Sequence, residues 1–187
     1  MRLLIASDLH GSPESALFLC DKAAELKPDM VVFLGDMLYH GPRNPLPFGY
    51  KPRDVADMLR DITVPIVAVR GNCDAEVDLM LLPFSVESTA MLYVDHLRIF
   101  CTHGQHLPPA PPIRGVEPGM VVLSGHTHVP TAHTVQGVHM WNPGSPTIPK
   151  GGFPASYGIY EDGEFRVLTL HDEVIMSHRP PMPGEKA

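Results

Sequence analysis

The sequence predicts an α/β domain in which helices pack against a sheet containing parallel strands. Up to Asn72, short apolar runs alternate with segments of helical periodicity, a pattern typical of strand–helix–strand units. Further along the chain, turn dipeptides such as Asp162-Gly163 indicate antiparallel hairpins. The length of 187 residues suits one domain. We therefore expect a single domain over residues 1–178, with a mixed sheet, and a flexible tail over 179–187.

The N-terminal half contains three apolar runs that each end in a polar residue. They predict buried strands over 3–6, 30–34 and 65–69. Ser12 followed by Pro13 is a typical helix start, and apolar residues at helical spacing extend that helix to about Lys27, before Pro28. A second helix is predicted over 55–62, after a loop rich in proline and glycine.

The C-terminal half has the pattern of hairpins. Strands are predicted over 89–94, 97–101 and 120–123, and the first two flank Asp95-His96. Gln136-Gly137 and Asp162-Gly163 mark the turns of two later hairpins. The segment 108–118 carries five prolines and is predicted to be an ordered loop.

Composition and charge exclude several classes of protein. An apolar fraction of 44% with 19% charged residues is not that of a disordered chain. No apolar run approaches the ~20 residues that cross a bilayer, so no membrane partner is expected. A net charge of −7 disfavours a stable nucleic-acid partner, which needs a basic face. Three cysteines without paired spacing favour a reducing, cytoplasmic location.

Five predicted strands end in residues that can bind a metal ion. These ends are Asp8-Leu9-His10, Gly35-Asp36, Gly71-Asn72-Cys73-Asp74, His103-Gly104 and Gly125-His126-Thr127-His128. Ligands of open α/β sheets bind beyond the carboxyl ends of the strands, so these ends should converge. We expect extended backbone to turn residues i and i+2 to the same side, which would let Asp8 and His10 share one ion.

Each of these residues also has a simpler interpretation. Asp8, Asp36 and Asn72 could cap the helices that follow them, and His103 alone could be an ordinary core histidine. Convergence with four histidines favours ligation for all of them. For Asp74 the helix cap is the favoured interpretation, and orientation of a metal ligand is the alternative.

The five blocks together resemble those of the calcineurin-like metallophosphoesterases, namely D-x-H, G-D, G-N-[H/C]-[D/E], a lone H and G-H-x-H. The segments HGPRNPLPFGY, VRGNCD, SGHTHVP and NPGSPTIPKGGFPASYG are most similar to the small bacterial YfcE-like phosphodiesterase branch. The resemblance covers residues 1 to about 177. It implies the metallo-dependent phosphatase fold, a four-layer αββα sandwich of two mixed β-sheets flanked by helices.

The resemblance also implies a dinuclear centre. Asp8, His10, Asp36 and His128 would hold one divalent ion, and Asp36, Asn72, His103 and His126 would hold the other. Oxygen and imidazole ligands suit Mn²⁺, our first expectation, and equally Zn²⁺, Fe²⁺, Ni²⁺ or Co²⁺. A hydroxide that bridges the two ions would attack a small phosphodiester substrate in line. The catalytic residues expected are Asp36, Asn72, Cys73 and Asp74.

Other residues near the predicted site have weaker assignments. Many members of the family have histidine where this chain has Cys73, and a thiol is a weaker hydrogen-bond donor. Cys73 is equally well interpreted as a small buried residue. Arg43, Asn44 and His40 follow Asp36 and are predicted to contact substrate, with solvated loop residues as the alternative.

Two further functions are compatible with the same sequence. One is a protein-interaction module with the phosphoesterase fold and weak or lost catalysis, and the other is a phosphomonoesterase. Retention of every ligand position favours an enzyme. A homo-oligomer is also an expectation, because Phe48, Tyr50 and Phe153 are apolar residues in predicted loops.

Overall fold

The computed structural model describes residues 1–181. Within them the helical elements are α1 (Pro13–Leu26), α2 (Pro52–Met58), a 3₁₀ turn (Leu59–Asp61) and the short α3 (Glu76–Leu79). The strands are β1 (Leu3–Ala6), β2 (Met30–Phe33), β3 (Ile66–Ala68), β4 (Ala90–Val94), β5 (Leu97–Cys101), β6 (Val121–Leu123), β7 (Thr131–Val135), β8 (Val138–Asn142), β9 (Ser156–Glu161), β10 (Glu164–Thr169) and β11 (Val174–His178).

The first sheet contains the parallel strands that the apolar runs predict. Its order is β11-β10-β9-β1-β2-β3, with β1, β2 and β3 parallel and the other neighbours antiparallel. The Ser12 side chain accepts the backbone N–H of Ser15 and so caps α1, as predicted. Lys27, with φ of 47°, ends this helix just before Pro28.

The second sheet has the order β4-β5-β6-β8-β7 and is also mixed. Strands β5, β6 and β8 are parallel, and the hairpins β4–β5 and β7–β8 close its two edges. The turns lie at Asp95-His96 and Gln136-Gly137, where the dipeptides predict them.

Two apolar layers hold the fold together, and β1 contributes to both. Leu4 and Ala6 pack against the helices, whereas Leu3 and Ile5 face the second sheet and residues such as Trp141. This alternation follows from the two-residue period of a strand. Each fully buried side chain of this size contributes about 1.5–3 kcal/mol.

The outermost layer on the second sheet is a proline-rich loop. The loop covers Val122 and Val138 of this sheet with buried Ile113 and with partly buried Leu107 and Val116. The two mixed sheets confirm the predicted fold class. In the described residues, the outer face of the second sheet is covered by this loop, whereas a four-layer αββα sandwich has a helix there. Five prolines over 108–118 remove backbone donors, so this segment cannot form a regular helix.

The chain beyond β11 is described only as far as residue 181. The Arg179 guanidinium donates to the carbonyl of Asp162 at 2.6 Å, and Pro180 is buried. The rest of the predicted tail, 182–187, lies outside the described residues. No helix in residues 1–181 is both long and apolar enough to cross a membrane.

Candidate metal centre

The loops that follow β1, β2, β3, β5 and β6 meet at one edge of the molecule. The Asp8 backbone N–H donates to the carbonyl of Gly35 at 3.0 Å, which joins the first two loops. The Gly125 N–H donates to the carbonyl of His103 at 2.9 Å, which joins the last two. The predicted ligand residues are therefore held on a connected backbone framework.

One half of the cluster consists of Asp8, His10 and His128. The Nε2 atoms of His10 and His128 lie 3.1 Å apart. Asp8 Oδ1 lies 3.6 Å from the first of them and 3.3 Å from the second. All three side chains are almost completely buried, so they form a compact set of oxygen and nitrogen ligand atoms.

The other half is arranged around Asp36 and His103. His103 Nε2 lies 3.3 Å from Asp36 Oδ2 and 3.1 Å from Asn72 Oδ1. Asp36 Oδ2 is also 3.9 Å from His10 Nε2, so this carboxylate stands between the two halves. The His126 ring is half-buried and packs edge-on to His103, with ring centroids 5.1 Å apart.

Backbone carbonyls orient three of the imidazole rings. Each ring places Nδ1 against a carbonyl oxygen, so Nδ1 donates a hydrogen bond and Nε2 faces the cluster, where it can bind either a proton or a metal ion. The acceptors are the carbonyls of Tyr39 for His10, Leu34 for His103 and Ile148 for His128, at 2.8, 2.7 and 2.5 Å.

This arrangement fits a cation. With both Nδ1 atoms protonated, the lone pairs of His10 and His128 face each other at 3.1 Å, which is unfavourable unless a positive charge lies between them. Two ligands at about 2.1 Å from one ion and at right angles lie ~3 Å apart, which matches this distance. Asp8 Oδ1 is buried without a hydrogen-bond partner, as expected for a metal-ligating oxygen.

The electrostatics of the cluster also favour a bound cation. Burial alone would raise the pKa of Asp8, but His10 and His128 hold that pKa well below its ordinary value. Burial alone would lower the pKa of His103, but Asp36 and Asp8 raise it to about 9. The carboxylates therefore stay ionised, and they attract either protons onto the imidazoles or metal ions between them.

The backbone at these residues differs from the extended form expected from the sequence. Asp8, His10, Asp36, His126 and His128 have φ between 49° and 67°, in the left-handed region. The Asp8 and His10 side chains converge because of these turns, with Leu9 buried between them in sequence, so the explanation from extended backbone is wrong. Such conformations are costly for residues other than glycine and concentrate at functional sites.

Asp74 positions this framework and does not cap a helix. Its buried carboxylate accepts the backbone N–H groups of Asp36 at 2.8 Å, Met37 at 3.0 Å and Gly71 at 2.8 Å. The favoured cap interpretation is wrong, because α3 begins after Ala75 and has no side-chain cap. The alternative, orientation of a ligand, agrees with its bond to the backbone of Asp36.

A cavity of about 840 Å³ opens beside the cluster. Its lining includes residues that the sequence assigns to the site, among them Arg43, Asn44, Asn72, Cys73 and Asp74. The Lys150 Nζ donates a hydrogen bond to Asn44 Oδ1 at 3.3 Å. This bond joins the two loops that contain these residues at the rim of the cavity.

His40, also predicted to contact substrate, is not among the residues that line this cavity. Its ring packs edge-on between Tyr39 and Tyr50, with centroids 4.7 and 5.2 Å away. Its carbonyl accepts the Asn44 side-chain amide at 2.9 Å, so the position of His40 in the structure is that of a loop support.

Sequence reasoning missed several of the residues that line the cavity. Arg70 and Tyr39 line the cavity, and neither is selected above. Arg70 directly precedes the Gly71-Asn72 block, so its place at a strand end is a signal that could have identified it. Tyr39 is a loop residue next to His40 and carries no such signal.

Comparison with known proteins agrees with the fold and the cluster. Residues 1–163 match the calcineurin-like phosphoesterase superfamily domain. The chain therefore belongs to the calcineurin-like phosphoesterase superfamily. It is 41% identical over 178 residues to the phosphodiesterase YfcE of Escherichia coli K12, an alignment that covers 95% of this chain and 96% of that one.

Solved structures extend the comparison. The structure of YfcE, a phosphoesterase from E. coli, superposes with a TM-score of 0.92 at 38% identity, covering 97% of this chain and all of that one. Zn²⁺-complexed Vps29 from Entamoeba histolytica has a TM-score of 0.61 at 20% identity, covering 93% of this chain and 96% of Vps29. The second likeness shows a shared fold alone.

Proposed function

We propose that this chain is a metal-dependent phosphodiesterase with a dinuclear centre. The observation that carries the proposal is the position of Asp36, whose buried carboxylate stands between His10 on one side and His103 on the other. A single carboxylate between two groups of imidazoles suits a ligand shared by two ions. The similarity to the curated phosphodiesterase YfcE supports a diester as the substrate.

The residues of this chain would supply two sets of metal ligands, one for each ion. Asp8, His10 and His128 with Asp36 form one set, and Asn72, His103 and His126 with Asp36 form the other. Oxygen and imidazole donors without thiolate suit Mn²⁺ first, with Zn²⁺, Fe²⁺, Ni²⁺ and Co²⁺ as alternatives. Two such ions would lower the pKa of a shared water, supply hydroxide as the nucleophile and neutralise the phosphoryl oxygens.

The protein contributes orientation and charge. The carbonyls behind His10, His103 and His128 fix the rings with Nε2 inward, so the ligand atoms need no rearrangement on binding. Asp74 holds the backbone of Asp36 and Gly71 in place. The cavity at the open side of the cluster would admit the substrate, with Arg43 and Asn44 at its wall.

The test is reconstitution of metal-free protein. Mn²⁺, Zn²⁺ or Ni²⁺ is added, bound metal is counted by mass spectrometry, and bis-p-nitrophenyl phosphate and p-nitrophenyl phosphate are assayed in parallel. We expect two ions per chain and faster hydrolysis of the diester. Faster hydrolysis of the monoester would indicate a phosphomonoesterase. Hydrolysis of neither ester with any of the metals would favour an interaction module and overturn the proposal.

A further inference from the structure

The cavity beside the metal centre carries more positive charge than a single phosphodiester needs. Its charged lining residues are Asp36, Asp74, Arg43, Arg70 and Lys150. Building on the proposed function, we propose that the three cations form a subsite for a second anionic group. The substrate would then be a phosphodiester that also carries a phosphate or carboxylate.

The two acids in the cavity do not neutralise these cations. Asp36 faces the histidines of the cluster, and Asp74 is 2% exposed with its carboxylate on backbone N–H groups. Within residues 1–181, no carboxylate lies within 4.0 Å of a charged nitrogen of Arg43, Arg70 or Lys150. Although the chain is acidic, these three cations around one cavity have no carboxylate partner in the described part of the chain.

Two of the cations are tied to the segments that hold the metal ligands. Arg70 precedes Asn72 by two residues, and its Nε donates to the Asp74 carbonyl at 2.9 Å. This bond leaves the terminal guanidinium nitrogens free to donate. The end-on edge of a planar guanidinium, formed by its two terminal nitrogens, suits phosphate or carboxylate oxygens.

Lys150 is tied to the other half of the centre. Its backbone N–H donates to the His128 carbonyl at 3.1 Å, and it lies two residues after Ile148, whose carbonyl accepts His128 Nδ1. Its ammonium reaches Asn44 Oδ1 at 3.3 Å, which leaves further N–H donors available. The cations therefore flank the centre from both of its halves, with Arg43 on the loop that follows Asp36.

The size of the cavity supports a substituent beyond the reacting phosphate. Its volume of about 840 Å³ is near the upper end of the ~300–1,000 Å³ that ligand cavities occupy. The bound ions would already offset the single charge of a simple diester. A second anionic group on the substrate would explain why a cavity of this size has additional cations that are not paired with carboxylates of residues 1–181.

The experiment compares two chromogenic diesters that differ by one phosphate. They are the p-nitrophenyl ester of thymidine 5′-phosphate and the same compound with a 3′-phosphate. For the Mn²⁺-loaded protein at low salt, we expect KM to be about tenfold lower for the 3′-phosphorylated ester, the size of one charge-assisted hydrogen bond. Arg43→Gln, Arg70→Gln and Lys150→Gln should each reduce this KM ratio, and the triple variant should bring it close to one. Arg53→Gln, at an exposed position of α2, is the matched control and should keep it.

Binding gives a readout that does not depend on turnover. By calorimetry, thymidine 3′,5′-bisphosphate should bind the Mn²⁺-loaded protein about tenfold more tightly than thymidine 5′-monophosphate, and the triple variant should lose that difference. Equal KM values and equal affinities would overturn the subsite, even when bis-p-nitrophenyl phosphate is hydrolysed and the proposed function holds. A preference that survives in the triple variant would also overturn it. Loss of all diester hydrolysis with the binding difference retained would instead contradict the proposed function.

Discussion

Among single residues, Cys73 lies directly beside the candidate metal ligands His10 and Asp36. Its backbone N–H donates to Asp36 Oδ1 at 2.7 Å, and its sulfur can share a ligand group with His10 and Asp36. Burial, together with the nearby Asp36, raises the pKa of the thiol to about 12. In the metal-free protein Cys73 is therefore neutral near pH 7, and a thiol is only a weak hydrogen-bond donor.

Replacement of Cys73 by histidine should raise kcat. An imidazole at this position can donate a proton to the leaving oxygen, a contribution of up to about 10²-fold for a good general acid. The gain should be largest for alkyl leaving groups, which need protonation most. The measurement is kcat of Cys73→His on aryl and alkyl diesters, with metal content determined in the same samples. Unchanged or lower kcat at normal metal content would contradict the prediction.

Asp74 gives a second prediction at the residue scale. Asp74→Asn places an amide N–H₂ against backbone N–H groups that now donate to a carboxylate. Loss of buried hydrogen bonds of this kind costs about 1–3 kcal/mol. The free energy of unfolding in urea should fall by that amount, and Mn²⁺ affinity should fall with it because Asp36 loses its backbone support. Asp57→Asn, at an exposed ion pair, should change stability by no more than ~0.5 kcal/mol.

The geometry of the candidate metal centre was predictable from the sequence only in part. The sequence predicts that Asp8 and Asp36 converge, because the carboxyl ends of neighbouring parallel strands lie at one sheet edge. His103 follows β5 of the second sheet, so it reaches them through the packing of the two sheets, which that rule does not cover. The sequence does not predict the positive φ values of Asp8 and His10, because several conformations of a loop bring the same two side chains to one point. Nor does it predict that His40 packs between tyrosines, which depends on how the whole loop folds.

The secondary-structure elements were predictable where local signals are strong. Dipeptides with a preference for tight turns predict three hairpins, and Ser12-Pro13 predicts the start of α1. Strand β11 was not predicted individually, because Val174–His178 has exposed and half-buried residues without clear alternation. Its place at the edge of the first sheet depends on contacts across sheets, which no local pattern specifies.

Strand β11 meets β7 and β8 through hydrogen bonds around His178. The Trp141 indole N–H donates to His178 Nδ1 at 2.9 Å, and His178 Nε2 lies 3.0 Å from Thr134 Oγ1. Because an indole nitrogen only donates, Nδ1 must accept and His178 must be neutral. Burial, His139 and His133 lower the pKa of His178, and these two histidines are the titratable groups that face it from β8 and β7.

This contact predicts a loss of stability in mild acid. The unfolded pKa of histidine is about 6.5 and the folded pKa of His178 is lower, so the unfolded state binds more protons between them. The contribution of His178 is therefore complete above pH ~6.5 and is lost as pH falls through that window. His178→Gln keeps an acceptor and a donor but does not titrate.

The measurement is urea unfolding of metal-free protein between about pH 7.5 and 5. Stability of the wild-type protein should fall more steeply than that of His178→Gln, and His171→Gln, at an exposed site, should follow the wild-type curve. Parallel curves for the wild-type protein and His178→Gln would contradict the prediction. Burial also lowers the pKa of His139, and that contribution is common to all three proteins.

For the whole molecule, the net charge of −7 has to be considered together with the ions. Two divalent ions would bring the formal charge to about −3, and only Asp8 and Asp36 contribute carboxylates to the cluster itself. The local potential at the loaded centre is then positive. An acidic protein can in this way attract a phosphate ester.

The same charges make metal binding a determinant of global stability. Without ions, buried carboxylates and imidazole lone pairs face one another, whereas ions that bind only the folded state stabilise it by about 2.7 kcal/mol per site at 100 times Kd. For a chain of this size each kcal/mol raises Tm by ~2–4 °C, so saturating Mn²⁺ should raise Tm by about 5–10 °C per site. Calorimetry with and without Mn²⁺ measures this shift.

The Asp36→Asn substitution distinguishes two models of the centre. In one, the two ions share the Asp36 carboxylate, and in the other the two metal sites are independent. The amide keeps the shape of the carboxylate but removes the charge between His10 and His103, so one variant should weaken both ions at once. We expect fewer than two ions per chain and a Tm shift well below that of the wild-type protein, compared as shifts because loss of a buried charge also changes the metal-free protein. Asp21→Asn, exposed on α1, should keep the full shift. Two bound ions and an unchanged shift in Asp36→Asn would mean that Asp36 does not bridge the centre.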